Sequence, residues 1–159
     1  MKMRNRSLAY RAKGFTLIEA LVALVVLSIG LLGVAALQLT SLRSNHSSAM
    51  RSQATYLAYD IIDRMRANRD AAVASGTSPY AIALGANGTA GTVAGDDLVA
   101  WKQNIARTLP AISATETADG SVVRTGNIFT VTIRWADWDD SGATARTPIQ
   151  FTMDTQLVN

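Results

Sequence analysis

A short basic leader and a long apolar segment meet at Gly14-Phe15-Thr16-Leu17-Ile18-Glu19. The leader, residues 1–13, carries five Lys or Arg side chains and no acid, and residues 20–37 contain no charged side chain. This predominantly apolar run of eighteen residues would form about 27 Å of helix, just enough to cross the hydrocarbon core of a bilayer. Glu19 then lies near the entrance of that layer, where an unpaired carboxylate costs about 2.5–3.5 kcal/mol. Such a carboxylate needs a cationic partner.

This arrangement resembles the N-terminus of type IV prepilins. In that family a basic leader ends in Gly, a prepilin peptidase cuts after it, and the new N-terminus is N-methylated. The resemblance places the cut between Gly14 and Phe15 and the methyl group on Phe15. It implies that Glu19 meets the N-terminal amine of a neighbouring subunit during assembly. It also implies a single-pass inner-membrane protein with a periplasmic C-terminal domain, assembled into a type IV pilus on the cell surface.

Two alternatives remain for the N-terminus. A basic region before an apolar region is typical of a secretory signal, and Gly33-Val34-Ala35 offers a small-residue cleavage site. Glu19 inside the apolar region, and a glycine placed before that region, argue against this alternative. A plain membrane anchor is the third interpretation.

The basic character of the chain resides mainly in the leader. The formal net charge is +3, but five of the fifteen Lys and Arg precede residue 14, whereas all twelve Asp and Glu follow it. Side chains of residues 14–159 therefore sum to −2, which argues against nucleic-acid binding. The leader charge is better interpreted as the positive-inside signal that keeps it cytoplasmic. The chain has no cysteine, so its folded part depends on packing without disulfides.

The helix is predicted to continue beyond the membrane, from about residue 15 to 68. Residues 40–69 contain no Gly or Pro, and an apolar stripe recurs there at helical spacing. The stripe consists of Met50, Ala54, Leu57, Ile61 and Met65. The predicted organisation is a leader at 1–13, a prepilin motif with a transmembrane and assembly helix at 14–39, and a globular domain at 40–159.

The middle of the chain is predicted to be a loop followed by a short helix. Residues 71–95 are rich in Ala, Gly, Ser and Thr, which favours a surface loop with little core. A helix over 96–109 would start at Asp96 as N-cap and end before Pro110. Its apolar face would carry Leu98, Trp101, Ile105 and Leu109.

The C-terminal third is predicted to form an antiparallel sheet of three or four strands within residues 120–158. Residues 128–135 and 149–153 alternate between apolar and polar side chains, the pattern of half-buried strands. Gly126-Asn127 suits a tight hairpin turn. The predicted fold class is α+β and type IV pilin-like, with a long N-terminal helix, first transmembrane and then amphipathic, packed on this sheet.

Three segments, at 24–33, 64–68 and 131–135, resemble the type IV pilus modification proteins, a family of minor pilins. No proline interrupts residues 15–39, whereas major pilins often carry one there. The resemblance implies a subunit that primes or modifies pilus assembly. Its partners would be other minor pilins, the major pilin, the prepilin peptidase and a tip adhesin, with no nucleic acid. A minor pseudopilin of a type II secretion system and, less favoured, a DNA-uptake pilin are the alternatives.

No catalytic constellation is present, so the chain is predicted not to be an enzyme and to need no cofactor. His46 is the single histidine and is interpreted as a solvated surface residue, which makes a zinc site implausible. Asp137, Asp139 and Ser141 have the spacing that begins a calcium loop. Pro148 stands where such a loop needs its closing Glu, so an acidic connection between strands is favoured.

The three tryptophans are assigned different environments. Trp101 and Trp135 are expected in the core because each lies on an apolar face. Trp138 lies in the acidic connection and is the candidate for a partner contact.

Overall fold

A computed structural model describes residues 14–137 and 147–157. Three helices precede three strands in this part of the chain, an α+β order that confirms the predicted fold class. The helices are α1 (Leu17–Ala67), α2 (Arg69–Val73) and α3 (Val93–Thr108). The strands are β1 (Asp119–Thr125), β2 (Ile128–Ala136) and β3 (Pro148–Gln156). The chain divides into two compact units, Met1–Leu42 and Arg43–Asn159.

The first unit contains the apolar part of α1. The helix includes an 18-residue window with a mean hydropathy of 2.8, none of it buried. It is long and apolar enough to cross a membrane. Ser28, a polar residue in this part, donates its hydroxyl hydrogen bond to the Leu24 carbonyl at 2.7 Å, so that hydroxyl is satisfied inside the helix.

In the second unit, α1 supplies one wall of the core. The predicted stripe is confirmed, because Ala54, Leu57, Ile61 and Met65 are buried and Met50 packs partly buried against the core. The prediction of one continuous helix is also confirmed, since α1 runs from Leu17 to Ala67 without interruption.

Helix α3 begins one turn earlier than predicted. Thr92 is the N-cap and accepts a hydrogen bond on its hydroxyl from the backbone N–H of Gly95 at 3.0 Å. Asp96, the predicted cap, lies inside the first turn and accepts from the N–H of Gly91 at 3.0 Å. The early start depends on Gly95, because a Cβ there would lie 1.8 Å from the Thr89 carbonyl oxygen.

The segment predicted as a surface loop over 71–95 has more structure than expected. It includes the end of α2 and the start of α3. Tyr80 is fully buried and Ile82 is 8% exposed. Ile82 exchanges two backbone hydrogen bonds of 2.9 Å with Val122 of β1. The prediction of little core is therefore wrong for Tyr80 and Ile82.

The described strands form one antiparallel sheet in the order β1-β2-β3. Val122, Val131 and Met153 stand opposite one another across the three strands. The predicted hairpin turn between β1 and β2 is confirmed, and Gly126 adopts φ +62°, a value that favours glycine. Inward side chains of β2 are buried, whereas those of β3 are only partly buried.

Helix α3 packs against β1 through Trp101 and Gly120. The indole N–H of Trp101 donates a 2.8 Å hydrogen bond to the Leu57 carbonyl of α1. Trp101 and Trp135 are 0% and 1% exposed, so the prediction that both lie in the core is confirmed. Because Gly120 lacks a side chain, the Trp101 ring can lie directly on β1.

Candidate processing and assembly site

The residues around the predicted cut lie just before α1. Gly14, Phe15 and Thr16 have no regular secondary structure, and the Phe15 side chain is 86% exposed. The predicted scissile bond between Gly14 and Phe15 therefore stands outside the helix. Leader residues 1–13 lie outside the described part of the chain.

Thr16 is the N-cap of α1. Its carbonyl accepts the hydrogen bond from the Ala20 N–H at 3.2 Å, and its hydroxyl accepts from the Glu19 N–H at 3.3 Å. The spacing from Thr16 to Glu19 is that of a capping box. Sequence reasoning missed this role, although the Thr-x-x-Glu pattern before an apolar run was available to find it.

Glu19 occupies the first turn of α1 and is exposed. A carboxylate there complements the partial positive charge of the helix N-terminus. Among residues 14–137 and 147–157, Glu19 has no salt-bridge partner. The Glu19 carboxylate is therefore accessible to a neighbouring molecule. The side chains around it on α1 are apolar and exposed.

A polar cluster joins the end of α1 to α3. Arg64 donates to Asp60 at 3.0 Å and to Asp97 at 3.1 Å. The hydroxyl of Tyr80 donates to the other oxygen of Asp97 at 2.6 Å, and Asn68 donates to that hydroxyl at 3.2 Å. Arg64 and Asn68 belong to the segment 64–68, on which part of the predicted resemblance to minor pilins rests. In this chain those two side chains link the end of α1 to Asp97 and Tyr80.

The buried hydroxyl of Tyr80 predicts a loss of stability at high pH. Burial, with the hydrogen bond to Asp97, raises the pKa of Tyr80 to about 12, whereas tyrosine in an unfolded chain has a pKa of about 10. The folded state holds the proton more tightly, so the protonated Tyr80 hydroxyl stabilises the fold. This contribution to the free energy of unfolding is complete below about pH 10 and is lost as the pH rises towards about 12. The free energy of unfolding, measured with urea in detergent, should fall more steeply over that pH range in the wild type than in Tyr80→Phe.

The control for this prediction is Tyr56→Phe, because Tyr56 is 69% exposed on α1. That variant should keep the steep pH dependence of the wild type. Equal pH dependence in wild type and Tyr80→Phe would contradict the prediction.

Two further cationic groups serve the fold. Lys102 donates to the carbonyls of Ala83 and Ala86 and pairs with Asp119 at 2.9 Å. Arg124 donates to the carbonyls of Val73 and Ala74 at 3.1 and 2.7 Å, so it caps the C-terminal end of α2. Each lines an open cleft, of about 520 Å³ for Lys102 and about 610 Å³ for Arg124. Their contacts are structural.

Two of the remaining candidate residues, Asp137 and His46, lie in the described part of the chain. No group of residues that could hold a metal ion occurs in the described ranges. Asp137 accepts a hydrogen bond from Ser47 at 3.2 Å, whereas Asp139, Ser141 and the predicted partner contact Trp138 lie outside those ranges. His46 is exposed on α1.

Comparison with known families accounts for the N-terminal half of the chain. Residues 10–35 match the prokaryotic N-terminal methylation motif, and residues 36–95 match the family of type IV pilin Tt1218. No curated protein and no solved structure is significantly similar to the chain.

The first of these matches includes the N-terminal part of α1. The methylation motif spans the cap, the exposed carboxylate and the apolar helix, and indicates a membrane-anchored pilin. Type IV pilins are processed by prepilin peptidase and assemble with other pilins, and their families are structural rather than enzymatic. Residues 10–35 thus match a prepilin N-methylation motif and residues 36–95 match a type IV pilin family, and together with the α+β fold these matches indicate a pilin or pseudopilin role.

Proposed function

We propose that the chain is a minor pilin of the PilV type, the type IV pilus modification proteins, which primes or modifies pilus assembly. It joins other minor pilins in a complex at the inner membrane that ends at the pilus tip, next to an adhesin. The observation that carries the proposed assembly with other pilins is Glu19, an exposed carboxylate in the first turn of an unburied apolar helix.

Processing comes first in this proposal. The leader stays in the cytoplasm, the peptidase cuts between Gly14 and Phe15, and the amine of Phe15 is methylated. Residues 15–39 remain in the inner membrane, and residues 40–159 form the periplasmic domain. Exposure of Phe15, outside α1, supports this order of events.

Assembly then depends on α1. In the proposed complex, the Glu19 carboxylate meets the methylated amine of a neighbouring subunit within the membrane, where opposite charges attract strongly. A carboxylate in that environment is costly without a partner. The low-dielectric surroundings therefore favour helices that associate over helices that stay apart.

Two observations favour a minor pilin over a major one. The apolar helix has no proline, and the segment 64–68 that resembles PilV proteins builds the cluster around Asp97. A minor pseudopilin of a type II secretion system shares the same N-terminal arrangement and is the second candidate. Genes next to this one distinguish the two: pilus subunits and a tip adhesin for the first, secretion components for the second.

The intact mass of the protein tests the processing step. In cells with the prepilin peptidase, we expect a chain that begins at Phe15 and carries one additional methyl group. In cells without the peptidase, the leader and Gly14 should remain attached. An uncut chain in both strains, or a cut after Ala35, would contradict the proposal and indicate a plain anchor or a secretory signal.

A further inference from the structure

We propose that Thr16 is a positioning residue for leader cleavage. As the N-cap of α1, Thr16 makes the helix begin at Leu17 and keeps the bond between Gly14 and Phe15 outside the helix. This inference rests on the proposed function, because it concerns the same cleavage reaction. It assigns a role to a hydroxyl that lies beside the cut.

The first reason is that α1 needs a polar stop at this end. The first N–H groups of a helix have no acceptor inside the helix, so an acceptor side chain at this point stabilises the start of α1 at Leu17. The Thr16 hydroxyl accepts one of these N–H groups, that of Glu19, at 3.3 Å. The Thr16 carbonyl accepts the next, that of Ala20, at 3.2 Å.

The second reason is that a competing cap lies two residues upstream. Glycine is also an acceptable N-cap residue, so a helix capped at Gly14 would include Phe15 as its first residue. The observed cap at Thr16 instead leaves Phe15 exposed and without regular structure. The choice between the two caps decides whether the residue after the cut is helical.

The third reason is the requirement of the peptidase. Cleavage is concentrated in exposed, irregular backbone, whereas a peptide bond in a helix has its polar groups engaged and its side chains closely spaced. Thr16 thus provides an accessible bond at a fixed distance from the membrane helix. Loss of its hydroxyl removes the preference for the cap at Thr16 over the cap at Gly14.

The test compares leader removal by purified prepilin peptidase from the full chain in detergent micelles. Thr16→Val keeps the shape of the side chain and removes the hydroxyl, so we expect kcat/KM for cleavage to fall about fivefold, equivalent to about 1 kcal/mol at 1.36 kcal/mol per tenfold. Thr16→Ser and Thr16→Asn retain a cap and should be cut at close to the wild-type rate. Thr40→Val makes the same change at a threonine that bonds the Ala36 carbonyl inside α1 and should have no effect.

A second measurement separates capping from direct recognition by the enzyme. Hydrogen exchange at the Glu19 amide should be faster in Thr16→Val and restored in Thr16→Ser and Thr16→Asn. Wild-type cleavage of Thr16→Val, or slow cleavage with unchanged exchange at Glu19, would overturn the inference. So would slow cleavage of the Ser and Asn variants. A wild-type chain that is never cut would instead overturn the proposed function.

Discussion

A Glu19→Val variant is expected to remain folded and membrane-bound but to be lost from pilin complexes. The globular core lies entirely in the second unit, so a change at Glu19 leaves it intact. Removal of one partner from a buried charge pair costs about 2–5 kcal/mol, part of which is the unpaired amine left behind. At about 1.4 kcal/mol per tenfold, co-purification of neighbouring pilins should fall at least about 30-fold.

The measurement is the amount of neighbouring pilin captured from membranes with a tagged variant. Glu19→Gln, which keeps the shape but removes the charge, should resemble Glu19→Val, because the proposed contact is ionic. Thr40→Val, a change from polar to apolar further along the same helix, serves as the matched control. Normal capture by both Glu19 variants would exclude the proposed role of the carboxylate.

A Gly120→Ala variant is expected to lose about 1–3 kcal/mol of folding stability through overpacking. A Cβ at this position would lie 2.4 Å from Cη2 of Trp101 and 2.7 Å from Cδ1 of Ile105, both fully buried. Trp101 cannot move away freely, because its indole N–H is bonded to the Leu57 carbonyl of α1. The added methyl group therefore strains α3, β1 and α1 together.

Equilibrium urea unfolding measures this loss, with tryptophan fluorescence as the signal. Thr125→Ala, an exposed change on the same strand, should alter stability by no more than about 0.5 kcal/mol. If Gly120→Ala were as stable as that control, the close packing of Trp101 on β1 would be refuted.

Periodicity made the main elements predictable. The stripe from Met50 to Met65 and the alternation in β2 each indicate which side chains face the core, because burial repeats with the period of a helix or a strand. Trp101 and Trp135 follow from the same patterns. The glycine before Asn127 indicated the turn, since few other residues tolerate φ near +62°.

What periodicity could not supply were contacts between distant residues. Tyr80 lies in a Gly- and Ser-rich segment, and its burial depends on Asn68 and Asp97, which belong to other elements. Thr92 and Asp96 are both good N-cap residues, and only the fit of Gly95 against the Thr89 carbonyl separates them. The capping role of Thr16 could have been predicted from the Thr-x-x-Glu pattern, but the sequence analysis interpreted Glu19 only as an assembly residue. Cleavage, methylation and the contact of Glu19 stay predictions.

The chain order of the core has a consequence for biosynthesis. The apolar face of α1, which ends near Met65, belongs to the same buried core as β2, whose first buried residue is Phe129. Ribosomes add about 5–20 residues per second, so the apolar face of α1 is made several seconds before β2 completes the core. During that interval the nascent chain exposes a hydrophobic surface, and exposed hydrophobic surface promotes aggregation. Chaperones that act on this protein should therefore engage residues 54–65, and their hold should end once β2 has been made.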